Sequence, residues 1–315
     1  LQQPEGRAVQ DYLDRRQIKK STAVRFGMGA SLDAWDVLLT AMTKKGYTKS
    51  ELLDAGLVVQ NKNGGLYDKF RNRLMLPVID TRGDVVAFGS RVLDKSEPKY
   101  MNSSETPVYS KRRVLYGLNL AKKSKRPNII LCEGNLDIVT LHQAGFDNAV
   151  ASMGTALTVE QTRLLSRFTK ELVLCYDNDN AGKIATERAL QILNGSEFSV
   201  KVLQLPRRLV DGEYIKPDAD DFIKLQGPDA FERLLNGSEN GVEFRMAQIA
   251  GKYDLKDDEA RIAYCGEVSE LLASLPGAVE REIYTGRAAE AAGITAEAMK
   301  LEVQRSFKRR IAREK

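Results

Sequence analysis

The chain has 315 residues, enough for two or three domains with well-buried cores. At 43% hydrophobic and 29% charged residues it has the composition of an ordinary soluble globular protein, and no window nears the roughly 18 consecutive apolar residues that cross a bilayer. The net charge of +5 is uneven: residues 1–126 carry 24 Lys/Arg against 13 Asp/Glu, and residues 127–315 carry 24 against 30. A basic half beside an acidic half fits a polyanion partner next to a cation-binding site, or solvated surfaces that differ; charge alone does not separate the two. Cys132, Cys175 and Cys265 are far apart and His142 is the sole histidine, which excludes a zinc cluster, a disulfide framework and any mechanism needing a His pair. Cys132 and Cys175 lie in apolar runs and read as buried small hydrophobes in a reducing cytosol; His142 reads as a surface or satisfied residue on a helix. The N-terminus lacks Met and an apolar signal segment, which suggests a piece cut from a longer chain, or a processed one.

The first segment reads as short helices. "VQDYLDRRQ" and "AWDVLLTAMTKKG" have helical apolar spacing, and "TKSELLDAG" opens on a capping-box pattern and closes on Gly. From residue 66 the pattern turns to strands: "RLMLPVIDTRGDVVAFGSRVL" is two β-like runs around a turn at 80–84, and "EPKYMNSSETPVYSKRRVLYG" reads as loop with a short strand. "KKSKRPN", 122–128, is a basic connector and marks the first boundary. Beyond it, strands at 129–132, 149–152, 172–176 and 200–205 alternate with helices at 136–144, 158–169 and 181–193, which implies a parallel sheet covered on both faces. Past about residue 240 the chain is helical. The expected architecture is α/β (α+β overall): a basic mixed α+β subdomain over 1–126, an α/β parallel-sheet domain over 127–240 and a helical bundle over 241–315.

In a doubly wound sheet ligands bind outside the C-terminal ends of the strands. Glu133 ends the first strand, with Asp137 in the next helical turn; Asp177 and Asp179 end the third; Asp218 and Asp220 follow the fourth strand and its loop. Two carboxylates about 4 Å apart repel by roughly 4 kcal/mol at an effective dielectric near 20. Five or six in one cleft therefore call for cations, and oxygen ligands without His or Cys favour Mg²⁺ or Mn²⁺. A pair of such ions is the usual arrangement for phosphoryl transfer. Each motif alone is weak, since an isolated Asp-x-Asp is most often a loop or a helix cap; their joint order at successive strand ends is specific. In "SMGTAL", Gly154 permits close backbone approach and Thr155 can cap the following helix.

"CEGNLDIV", "ASMGTALT", "YDNDNAGKIATERAL" and "PDADDF" together resemble the Toprim domain of bacterial primases, topoisomerases and some nucleases. "RFGMG" with "WDVLL", "FRNRLMLPVIDTRGDVVAFGSRVL" and "PKYMNSSETPVYSKRRVLYGL" narrow the resemblance to the DnaG-type bacterial primase, and it runs through nearly the whole chain to "GITAEAMKLEV". It implies the central RNA polymerase domain, without the zinc-binding and helicase-binding domains, so the helicase is expected to bind through a domain absent here. It implies Glu133, Asp177 and Asp179 as catalytic metal ligands for Mg²⁺ or Mn²⁺, with no zinc, and Asp137, Asp218 and Asp220 completing the cluster. Arg71, Arg73, Arg91, Lys99, Tyr100, Asn102 and Lys111 match nucleotide- and template-binding positions. The implied partners are single-stranded DNA, ribonucleoside triphosphates and an RNA primer/DNA hybrid, with no membrane, in the bacterial cytoplasm at the replication fork. The implied reaction is primer synthesis: a ribonucleotide 3′-hydroxyl attacks the α-phosphate of a second NTP and pyrophosphate leaves. Other Toprim chemistry (a topoisomerase or nuclease) and a non-catalytic nucleic-acid-binding module are the alternatives. The chain departs from the family at Ala219, where Asp-Pro-Asp is usual, and at Asn135, where an aromatic residue is usual.

Overall fold

The computed structural model describes residues 1–314 except 155, 207, 211, 212 and 216. Helices α1 (Arg7–Arg15) and α2 (Lys20–Arg25) lead to strand β1 (Gly29–Ser31), then α3 (Val37–Lys44) and α4 (Lys49–Asp54). The capping box before α4 forms: the Thr48 hydroxyl accepts from the Glu51 N–H, and the Glu51 carboxylate accepts from the Thr48 N–H at 2.7 Å. Strands β2 (Val58–Gln60) and β3 (Leu66–Asp68) make a two-stranded ribbon. Strands β4 (Arg73–Ile79), β5 (Val85–Val92) and β6 (Tyr100–Asn102) join β1 in an antiparallel sheet of order β1-β4-β5-β6. The β4–β5 turn is held by the Asp80 carboxylate, which accepts from the N–H groups of Arg82, Gly83 and Asp84. Pro77 is tolerated inside β4 because β1 pairs only as far as Met75, so no ladder donor is missed on that side.

Next come α5 (Leu118–Ala121), β7 (Asn128–Cys132), α6 (Asn135–Gln143), β8 (Ala149–Ala151), α7 (Val159–Leu165), β9 (Glu171–Leu174), α8 (Asn180–Leu193) and β10 (Ser199–Val202). After them stand β11 (Arg208–Val210), β12 (Glu213–Ile215), α9 (Ala219–Gln226), α10 (Pro228–Asn236) and β13 (Glu239–Asn240). The sheet order is β13-β10-β9-β7-β8, parallel except for β13. Side chains alternate strictly across it. Ile130, Cys132, Ala149, Ala151, Val173 and Cys175 face α6, α9 and α10 together with Tyr12, Leu13 and Phe26 of the N-terminal segment. Ile129, Leu131, Val150, Leu172 and Leu174 face α5, α7, α8 and Phe244. Burial on both faces is why these strands read as unbroken apolar runs.

Three details differ from the sequence expectation. An antiparallel edge strand, β13, joins the sheet, and the β11–β12 hairpin stands between the fourth strand and Asp218. His142, on α6, takes the satisfied alternative of its expectation and is buried: its Nε2 lies 2.9 Å from the Ala149 carbonyl, and burial pushes its pKa down to about 4. Thr155 lies outside the described residues, and the capping residue of α7 is Thr158, in a reciprocal box with Gln161. All three cysteines are buried free thiols. Helices α11 (Gly241–Ala250), α12 (Asp258–Ala273), α13 (Ala278–Ala292) and α14 (Ala296–Glu314) close a third core around Val268, Leu272, Ala288 and Met299. Among the described residues no helix is long and apolar enough to cross a membrane.

Candidate active site

The chain leaves β7 at Glu133 and turns at once into α6. A Cβ on Gly134 would stand 2.6 Å from the Asp137 carboxylate, which instead accepts the Gly134 N–H at 3.2 Å. The chain leaves β9 in the same way at Asp177, and a Cβ on Gly182 would stand 1.9 Å from the Asp177 carbonyl oxygen. Only glycine lets α8 start so close behind the acidic turn. Asp179 caps α8 by accepting the Gly182 N–H at 2.7 Å, and Asp218 caps α9 by accepting the Asp221 N–H at 2.7 Å. Asp137 ties the first helix to the third, accepting the Asp220 N–H at 3.3 Å. Three helix N-termini thus meet at the carboxylates, and their partial positive charge offsets some of the repulsion.

What remains of that repulsion shows in the titration of the groups. Burial, then Asp177, pushes the Glu133 carboxyl up to about 6. Burial, then Asp218 and Asp177, holds Asp137 well above the usual carboxylate range. Asp177 is raised by burial and by Asp218 and Asp179, and Asp218 is raised chiefly by burial. Asp220 has partners of its own. Buried at 2% exposure, its Oδ2 takes Arg16 at 2.7 Å and Lys224 at 2.5 Å, and its Oδ1 takes the Thr140 hydroxyl at 2.5 Å. Its charge is already compensated within the protein.

Of the residues expected from sequence, Glu133, Asp137, Asp177, Asp218 and Asp220 line a cavity of about 410 Å³. Lys99, Tyr100 and Asn102 line the same cavity. Asp179 is not among the lining residues; it is exposed, with one carboxylate oxygen committed to its cap. The remaining cations lie outside the cavity. Arg71 stacks 4.1 Å over Trp35 and 5.1 Å over Tyr67; Arg73 is buried and donates to the Pro98 carbonyl at 2.9 Å; Arg91 lies 4.4 Å over Tyr12 and 5.9 Å over Tyr100. Lys111 sits near Lys69, whose pKa is lowered by burial and by that second ammonium. Sequence reasoning missed Arg16, Asn135 and Met153, which also line the cavity, and the exposed Trp35 beneath Arg71. Met153 has φ 61°, a left-handed conformation that non-glycine residues adopt at a cost.

The donor set suits a hard divalent cation: it is all carboxylate, and Glu133 Oε1 is buried with no hydrogen-bond partner. Among the described residues, the carboxylates whose oxygens come within 4.8 Å of one another are Asp218, Asp220 and Asp221.

Residues 1–122 match the family model of the DNA primase catalytic core, N-terminal domain, and residues 130–223 match a Toprim-like model. The chain superposes on the catalytic core of Escherichia coli primase with a TM-score of 0.80 and 33% identity, over 94% of this chain and 93% of that one. The chain belongs to the DnaG-type primase family. A DnaG primase catalytic domain bound to single-stranded DNA gives a TM-score of 0.81 at 32% identity, over 95% of this chain and 93% of that one. The DNA primase of Clostridium acetobutylicum is 42% identical over 295 residues, 93% of this chain and 48% of its own length. The chain spans about half the length of the curated primases it matches. One expectation is corrected: residues 242–297 of this chain match the model described as the DnaB-helicase binding domain of primase, so the family's helicase-binding region is not missing. The reading failed there because amphipathic helices carry a packing period but no mark of what docks on them.

Proposed function

We propose that this chain synthesises RNA primers on single-stranded DNA, joining the 3′-hydroxyl of one ribonucleotide to the α-phosphate of the next with loss of pyrophosphate. The observation that carries the reading is the cavity itself, whose lining brings five carboxylates together with Lys99, Tyr100 and Arg16. A polyanion binder gains nothing from clustered carboxylates, whereas a nucleotidyl transferase needs them beside cations. Mg²⁺ or Mn²⁺ would be held by Glu133, Asp177 and Asp179, with Asp137 and Asp218 adjoining, and when bound supplies the charge that phosphoryl transfer requires. Lys99 and Arg16 draw the triphosphate to that cavity. Tyr100, 49% exposed, offers a ring on which a base stacks. Arg71 over Trp35, Arg91 and the Lys69/Lys111 pair extend a basic, aromatic surface away from the cavity, suited to a template strand and the primer hybrid. Residues 242–297 would meet the replicative helicase at the bacterial replication fork, a reading supported by their match to the helicase-binding model.

Asp177→Ala and Asp179→Ala are each expected to lower primer synthesis on single-stranded DNA with NTPs and Mg²⁺ by about 100-fold or more. Their circular dichroism should match the parent. Undiminished synthesis by both variants would refute the assignment, and relaxation or nicking of supercoiled DNA by the parent would point to other Toprim chemistry.

A further inference from the structure

We infer that Asn135 tells a ribonucleotide from a deoxyribonucleotide by accepting a hydrogen bond from the 2′-hydroxyl of a nucleotide in the acidic cavity, an inference that rests on the primer-synthesis reading above. Asn135 opens α6 between Glu133 and Asp137 and so stands beside the carboxylates. Asn102 closes β6, two residues after Tyr100, and lines the same cavity. The two carboxamides meet over Gly89: a Cβ there would stand 2.5 Å from Asn135 Nδ2 and 3.1 Å from Asn102 Oδ1. Asn102 is anchored, its amide donating to the Met153 carbonyl at 3.0 Å. Asn135 is not anchored in the same way: its Oδ1 is buried and has no hydrogen-bond partner. An unmet buried acceptor is a free-energy cost that a ligand donor relieves. The last torsion of an asparagine is soft, so the carboxamide can turn that acceptor into the cavity.

Position then selects the donor. A nucleotide with its phosphates at the carboxylates, Lys99 and Arg16, and its base on the Tyr100 ring, must lay its sugar between them. Asn102 and Asn135, side by side over Gly89, line that same cavity. A site built to bind a hydroxyl discriminates against the analogue lacking it, because the protein's polar group is then left unpaired. The 2′-hydroxyl is the donor a deoxynucleotide lacks, and the 3′-hydroxyl is the group reserved for chain growth.

The test is calorimetric titration of ATP, 2′-deoxy-ATP and 3′-deoxy-ATP, in Mg²⁺, into the parent, Asn135→Ala and Asn135→Leu, the last of nearly unchanged volume. The parent is expected to bind ATP and 3′-deoxy-ATP about 10-fold more tightly than 2′-deoxy-ATP. Both variants should lose that preference by weakening the first two ligands while the Kd for 2′-deoxy-ATP holds. An unchanged preference, an equal weakening of all three nucleotides, or a loss confined to the 3′-hydroxyl overturns the inference and leaves the primer-synthesis reading standing. A parent that binds none of the three overturns both.

Discussion

Glu133 leaves β7 with one buried carboxylate oxygen that meets no donor, and its pKa is pushed up from 4.5 to about 6, first by burial and then by Asp177. Asp137, Asp177 and Asp218 are displaced in the same direction. A carboxyl whose folded-state pKa exceeds its unfolded value binds its proton more tightly when folded. Its stabilising contribution is therefore fully present below the unfolded pKa and is lost as pH rises through the folded one, here between about 4.5 and 6 for Glu133. A divalent cation binds the ionised forms and works against that loss. Thermal unfolding with and without Mg²⁺ should therefore show a rise in Tm at pH 7.5 that shrinks markedly at pH 5; equal shifts at the two pH values would contradict the cluster's role. Glu133, Asp177 and Asp179 were legible in sequence because they follow apolar runs that end at a turn. The state of Asp220 was not, since its partner Arg16 is 204 positions away and no local pattern announces the pairing.

Helix α8 shows how an element positions a functional group. Its first turn lies directly behind the Asp177 carbonyl, in space that only a hydrogen at Gly182 can share. Gly182→Ala must push α8 away from that turn or bend the turn itself. It is expected to lower stability by about 1–3 kcal/mol in urea unfolding and to reduce the Mg²⁺-induced rise in Tm. A variant with parental stability and a parental Mg²⁺ response would mean that the close approach is unimportant. The strands flanking the site were readable because a parallel sheet buried on both faces demands continuous apolar residues. Strand β13 was not, because Glu239–Asn240 is too short to establish any period and forms only by pairing with Lys201 and Val202. The β11–β12 hairpin interrupts a stretch that reads as plain loop.

At the scale of the whole molecule, the N-terminal segment and the parallel sheet share one core: Tyr12, Leu13 and Phe26 pack in the same cluster as Ile130, Cys132 and Val173. The backbone of Tyr116 also bonds reciprocally to Ala151, covering the outer edge of β8. Arg16 is the polar counterpart of this junction, reaching from the end of α1 to Asp220. Arg16→Met and Asp220→Asn should each destabilise the fold, and the double variant should be less destabilised than their sum, by a coupling of about 1–2 kcal/mol in urea unfolding. Strict additivity would show that the pair does not hold the junction.

The order of elements, the sheet of parallel strands and the acidic residues at the strand ends were determined by the sequence alone, because each depends on neighbours within a few positions. Periodicity, caps and turn residues are local physics. The tertiary structure alone decided that Arg16, Lys99, Tyr100 and Asn102 line one cavity with those carboxylates, that Asp220 is paired with Arg16 and Lys224 while Glu133 keeps an unmet oxygen, and that Asn135 is left with an acceptor to offer. Those outcomes depend on distance and burial between residues remote in the chain, and charge and hydrogen-bonding states are fixed by such distances.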